Sequence, residues 1–107
     1  MKKVYLPPNS PLLISYLHTL KNRLFRILPE YEENNNTLPV YIESLLFEIN
    51  GLQKIVKDKN YNHIFVTILS ILSSLHIEVT LEDRHSVIKR EVFKCISLVD
   101  KALNDKG

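Results

Sequence analysis

The near absence of glycine is the feature that most limits how this chain can fold. Of its 107 residues only two are glycine, Gly51 and Gly107, whereas average usage is about 7%. Loops that hold phosphate groups need several glycines close together, so that the backbone can approach the ligand. Rossmann, Walker A and kinase-type loops are therefore excluded, and so are β-sandwiches with many tight turns. A helical protein needs few glycines, which makes all-α the leading fold class.

Length and composition point to one small globular domain. Hydrophobic residues make up 45% of the chain and charged residues 24%, close to the average for soluble proteins. A chain of this size buries roughly two-thirds of its unfolded surface, enough for one core. We therefore expect a single domain over residues 1–107, with residues 1–9 as an extended N-terminal arm.

The single cysteine and the uncharged stretches bear on the compartment. Cys95 cannot form an internal disulfide, and a lone thiol is typical of a reducing compartment. The first ten residues lack the apolar run of a signal peptide. Residues 60–77 carry no charge, but their apolar part is shorter than the ~20 residues that a membrane span requires. We expect a cytoplasmic, soluble protein.

Apolar residues recur at spacings of three and four, which predicts helices. Ser10 is a good N-cap and Pro11 fits the first helical position, while Pro29 should end the first helix. Thr80 and Asp83 form a capping-box pattern before the last helix. Four helices follow, over residues of about 11–28, 39–57, 61–75 and 81–103. Because the loops between them are short, the prediction is an antiparallel up-down-up-down four-helix bundle.

Two predicted helices have unusual features. The second contains Gly51, yet its apolar stripe continues in phase beyond it, so we predict one helix with a soft spot at Gly51. The third has no charge on any face, and such a helix is usually covered on most sides. Self-association through this third helix would supply part of that cover.

Charge is segregated along the chain. Residues 1–29 contain five bases and no acid, whereas residues 30–50 contain five acids and no base. One interpretation is that opposite charges lie on adjacent solvated faces. The other is a bipolar surface that orients a partner, with Glu30, Glu32 and Glu33 as candidate contacts.

Several apolar residues fall off the main stripe of their helix. Phe47 lies opposite the core face of the second helix, and other large side chains lie at the edges of the first and fourth helices. A large exposed apolar patch marks an interaction site, whereas partial cover would only widen the core; the sequence leaves both open. The candidate partner-binding residues are Phe25, Phe47, Val87, Phe93 and Leu98.

The sequence contains no recognisable pattern of catalytic or metal-binding residues. No two histidines have the i, i+4 spacing of metal ligands on a helix, and Glu82 with His85 is the one Glu-x-x-His step where a di-iron bundle needs two. Cys95 falls on a core face, where a cysteine behaves as a small hydrophobe. We expect no metal, no cofactor and no enzymatic activity.

Two functions remain as hypotheses. By size, compartment, helical architecture and mild basicity, with a net charge of +2, the chain is similar to small bacterial immunity proteins. That resemblance implies a module that binds and neutralises a partner protein such as a toxin, and it carries no residue across. The alternative is a nucleic-acid-binding regulator, with Lys21, Arg23 and Arg26 of the first helix as candidate phosphate contacts.

Overall fold

The computed structural model describes residues 10–56 and 59–104, which form an all-α bundle. Four long helices make up the bundle, and a short fifth segment continues the first of them. The segments are α1 (Pro11–Phe25), α2 (Ile27–Glu32), α3 (Leu38–Ile55), α4 (Lys59–Glu78) and α5 (His85–Asn104). The four-helix bundle is therefore confirmed. The predicted arm at residues 1–9 and the predicted end of the second helix at residue 57 lie outside the described residues.

Contacts between helices that are distant in sequence show the antiparallel arrangement. Lys21 of α1 contacts Asp100 of α5, and further along α1 Phe25 contacts Phe93. Residue numbers thus rise along α1 while they fall along α5. Short connections join α3 to α4 and α4 to α5, and these neighbours also pack directly against each other.

One continuous core fills the bundle, because each long helix buries one apolar stripe. The stripe of α1 consists of four leucines at helical spacing, and α3, α4 and α5 contribute similar rows. The central members are Leu13, Leu17, Leu20, Leu24, Ile42, Leu45, Ile49, Phe65, Ile68, Leu72, Leu75, Ile88, Val92 and Val99. Leu81, which the helical spacing places on the core face of the last predicted helix, is instead exposed in the connection before α5.

The side of the bundle between α1 and α3 is built from polar side chains instead of close helix packing. No Cα atom of α1 lies within 8 Å of one in α3 among the described residues. Arg23 donates to Glu48 at 2.6 Å, and the hydroxyl of Tyr16 donates to the same carboxylate at 3.3 Å. The hydroxyl of Tyr41 donates to the carbonyl of Arg23 at 2.9 Å. Long side chains thus fill the wider gap between these two helices.

The predicted end of the first helix at Pro29 is wrong by a few residues. The break falls at Arg26, and Pro29 lies inside the following segment, α2. Proline has no N–H to donate and its ring clashes with the carbonyl four residues earlier, here that of Phe25. The first turn of a new helix avoids both problems. The proline therefore acts on the preceding turn, and α2 begins at Ile27.

The predicted start of the last helix near residue 81 is also wrong. Thr80 does not cap α5; its hydroxyl donates to the carbonyl of Ile77 at 2.6 Å, at the end of α4. Asp83 has φ 59, a left-handed conformation that a right-handed helix does not contain. The third predicted helix consequently runs on to Glu78, and α5 begins only at His85.

Gly51 lies inside α3, which continues through it without a break. A Cβ atom placed on this residue would meet nothing within 4 Å. The prediction of one continuous helix is confirmed, and no neighbouring group within the described fold requires a glycine. An interior glycine nevertheless costs a helix about 1 kcal/mol relative to alanine.

Candidate partner-binding site

Two of the predicted partner-binding residues, Phe25 and Phe93, form a pair on the surface. Their ring centroids lie 5.8 Å apart with an interplanar angle of 81°, an edge-to-face contact. Phe25 stays 38% exposed and Phe93 40% exposed. The pair is therefore neither buried core nor two isolated side chains, and its open side is available to a partner.

A groove of about 580 Å³ lies beside this pair, between α4 and α5. Its apolar surface comes from Ile71 of α4 and from Phe93 and Leu98 of α5. Leu98 is half-buried and packs against the core. Val87, also half-buried, does not line the groove. The structure therefore brings together Phe93, Leu98 and, through its ring contact, Phe25.

Basic side chains surround the groove. Arg90, Lys94 and Lys101 line it together with Thr67 and Ser97, and in the part of the chain that the structure describes no acid lines it. Glu91 contacts two of the bases, at 3.4 Å from Arg90 and 3.6 Å from Lys94. The side chain of Glu91 is only 16% exposed, whereas those of Arg90 and Lys94 remain 63% and 57% exposed. The surface that a partner meets is therefore apolar with a positive rim. We call it the basic groove.

The basic rim is not visible in the distribution of charge along the chain, but it is visible in the distribution of charge around the helix. Residues 90, 94, 97 and 101 recur at spacings of four and three, so that they share one face of α5. Three of them are basic and the fourth is serine. Plotted by helical angle, the last segment therefore indicates a positive face that its balanced total charge conceals.

Phe47 lies apart from the basic groove, on α3. It is 82% exposed, and Val40, two turns earlier on the same face, is 64% exposed. Gly51 is one turn further along. The prediction that Phe47 points away from the core is confirmed, and the structure does not bring it to the other predicted residues. We call the row of Val40, Phe47 and Gly51 the α3 ridge.

The candidate phosphate contacts of α1 do not form one basic face. Lys21 bonds to Asp100 of α5 at 2.7 Å, while Arg23 bonds to Glu48 of α3 on the other flank of α1. Arg26 lies 3.5 Å from Glu30 of α2. Hydrogen bonding to Glu48 raises the pKa of Arg23 above its ordinary value. All three bases thus have acidic partners within the chain, and their role with nucleic acid stays a prediction.

The acidic segment lies at one end of the bundle. Glu30 contacts Arg26 and Asn35, whereas Glu32 and Glu33 are exposed. Nearby is a cleft of about 510 Å³ between the α2–α3 and α4–α5 connections. The pairing of Arg26 with Glu30 and of Arg23 with Glu48 supports the interpretation that the segregated charges lie on adjacent faces.

Reactive groups are buried or dispersed. Cys95 is fully buried, as predicted, and burial raises the pKa of its thiol to about 12. Within residues 10–56 and 59–104, no three His, Cys, Asp or Glu side chains come together to hold a metal ion. Across the same residues, no helix has the length and apolar character to cross a membrane.

Comparison with protein-family models, with curated proteins and with solved structures finds no match to this chain.

Proposed function

We propose that the chain is a non-catalytic protein-binding module that receives an acidic amphipathic helix of a partner protein in the basic groove. The observation that carries the proposal is the groove itself, an apolar surface of Ile71, Phe93 and Leu98 rimmed by three bases. An amphipathic helix places its apolar face in such a groove and its charged flanks on the rim. Acidic flanks would meet Arg90, Lys94 and Lys101.

Its most concrete form is an immunity-type or inhibitor protein that binds and neutralises one partner. Electrostatic complementarity between a positive rim and an acidic partner speeds association and disfavours wrong partners. The Phe25–Phe93 pair adds aromatic area, which is enriched at interfaces. Both features support a surface that recognises one protein.

The nucleic-acid alternative has weaker support. Its three bases, Lys21, Arg23 and Arg26, are each engaged by a carboxylate of the same chain. Phosphate binding would have to displace Asp100, Glu48 or Glu30 first. The basic groove is also positive, but its centre is apolar, whereas binding to a phosphate backbone rests on charge alone.

Affinity capture with matched baits tests the proposal. The baits are the wild type, Phe93→Glu, Lys94→Glu and, as control, Leu12→Glu. Leu12 is 72% exposed on α1, so that its replacement alters an accessible apolar residue outside the groove. Circular dichroism of each bait confirms that it is folded.

The proposal requires a protein that wild type and Leu12→Glu retain and that both groove variants lose. A synthetic peptide of that protein's acidic helix should then bind wild type with an affinity that falls as salt rises. Retention of the same proteins by all four baits would contradict the proposal. Capture of nucleic acid, reduced by Lys21→Gln and Arg23→Gln, would favour the alternative instead.

A further inference from the structure

The α3 ridge presents a large apolar side chain beside a gap. Phe47 is 82% exposed, and one helical turn later Gly51 has only open space where a side chain would be. Glycine is a poor helix former, and its usual advantage is to let another backbone or group approach closely. Within the described fold, nothing makes that approach.

The charges on the same face show what kind of molecule fits. Glu43 lies one turn before Phe47, and Lys54 lies about one turn after Gly51. Glu43 approaches His76 at 3.3 Å, yet 60% of its side chain remains exposed. Lys54 is exposed as well. The ridge therefore carries an acid at one end and a base at the other.

We propose that α3 pairs with α3 of a second copy of this chain in an antiparallel, two-fold arrangement. If the crossing is centred at the level of residue 49, residue 47 of each copy faces residue 51 of the other. Each Phe47 ring then covers the gap at the opposite Gly51. The same register puts Glu43 of one copy within one residue of the position opposite Lys54 of the other. Two symmetry-related ion pairs therefore form, each between a Glu43 and a Lys54.

The neighbouring helix allows this approach. In a two-fold interface, a charge close to the axis meets its own copy and is repelled. Residues 60–77 of the chain contain no Asp, Glu, Lys or Arg. The outer face of α4, with Val66 and Ile77 exposed, therefore brings no like charges together beside the α3 crossing.

Sedimentation velocity over protein concentrations from about 1 μM to 1 mM, the range of weak specific interfaces, tests the pairing. We expect wild type to shift from monomer to dimer within this range. Phe47→Asp and Gly51→Leu should each weaken the dimer at least tenfold, since one replaces the ring that covers the gap with a charge and the other fills the gap. Both positions are exposed, so that neither change removes a core contact.

Charge reversal tests the register. Glu43→Lys and Lys54→Glu should each weaken the dimer several-fold, whereas the double variant should restore it by exchanging the two signs. Leu12→Asp, which alters an exposed residue of α1, and Phe93→Glu, which alters the basic groove, should leave dimer formation unchanged. The last control separates this proposal from the proposed function.

A wild type that stays monomeric throughout the range overturns the proposal. It is equally overturned by a dimer that Phe47→Asp and Gly51→Leu leave intact, or one that Leu12→Asp weakens as much as they do. A double charge variant that associates no better than the two single variants would refute the antiparallel register.

Discussion

A single tyrosine hydroxyl holds together the end of the bundle where α2, α4 and α5 meet. The Tyr31 hydroxyl donates to the carbonyl of Leu81 at 2.6 Å and accepts from the N–H of Arg84 at 3.1 Å. Its ring packs edge-on to His85 at 4.8 Å between centroids. Tyr31 therefore satisfies two backbone groups of the connection that precedes α5. Backbone groups left without partners in such a place are costly.

Replacing Tyr31 with phenylalanine should lower the free energy of unfolding by about 1–3 kcal/mol, because two backbone groups lose their partner at a part-buried site. Urea unfolding measures the change. Tyr41→Phe is the matched control, since its hydroxyl makes one bond at a half-buried site and should cost less. Equal losses in the two variants would contradict this role of Tyr31.

Because its thiol is buried, Cys95 should make the unfolding free energy fall as the pH becomes alkaline. Burial raises its pKa to about 12, whereas the thiol of an unfolded chain ionises near pH 8.5. The stabilisation is complete below the unfolded pKa and is lost as pH rises toward the folded one, by up to about 1.4 kcal/mol per pH unit. The unfolding free energy should therefore fall between about pH 9 and 12.

Cys95→Ala should lower stability at neutral pH, because it leaves a small cavity, and should also flatten the fall at high pH. Unfolding curves of both proteins at pH 8, 9.5 and 10.5 test this. Tyr16, whose pKa burial and Glu48 raise to about 12, keeps a residual slope in the variant. Parallel pH curves for the two proteins would show that Cys95 does not cause the effect.

Burial of Cys95 was predictable from the sequence, whereas the role of Tyr31 was not. Cys95 belongs to a repeating stripe, and such a stripe needs only local spacing to identify it. Tyr31 acts on Leu81 and Arg84, fifty residues further along the chain. No local pattern encodes a contact of that kind, which depends on how the helices are packed.

Among the helices, the exact boundaries carry most of the difference between prediction and structure. Pro29 signals an interruption, but the interruption appears one turn earlier, at Arg26, because proline affects the preceding turn. Thr80 resembles an N-cap, but its hydroxyl bonds back to α4. Pro29 and Thr80 each mark a helix boundary. Local bonding decides whether the boundary belongs to the residues before or after them.

Gly51→Ala should raise the unfolding free energy of dilute protein by about 0.5–1 kcal/mol, because α3 is helical there and alanine is the better helix former. Thermal unfolding at a concentration where the protein is monomeric measures the gain. Asn50→Ala at the neighbouring exposed position serves as a reference for helix propensity alone. A destabilised Gly51→Ala monomer would mean that α3 needs the glycine for its own conformation.

At the scale of the molecule, charged and polar side chains bridge α1 and α3 on the side of the bundle where these helices do not pack closely. The carboxylate of Glu48 accepts hydrogen bonds from Arg23 and Tyr16 across the gap between α1 and α3. Both interactions join a residue of the base-rich segment, residues 1–29, to a residue of the acid-rich segment, residues 30–50. The segregation visible in the sequence thus serves the fold at this side, whereas the positive face of α5 stays exposed.

Glu48→Gln should lower the unfolding free energy by about 1 kcal/mol, because the half-exposed Arg23 loses a carboxylate. Asp100→Asn, which breaks the more exposed pair with Lys21, should cost less. Urea unfolding at low and high salt measures the loss of unfolding free energy in each variant. A larger loss for Asp100→Asn would show that the gap between α1 and α3 does not depend on Glu48.

The pairing of α1 with α5 also fixes the order in which the chain can assemble. The contacts of α1 with Phe93 and Asp100 join residues some seventy to eighty positions apart. During synthesis, the leucine stripe of α1 leaves the ribosome long before α5 exists to cover it. The helices α3 and α4 follow each other closely and can pair as soon as both are made. The leucine stripe of α1 is therefore fully covered only after α3 and α4 can already have paired.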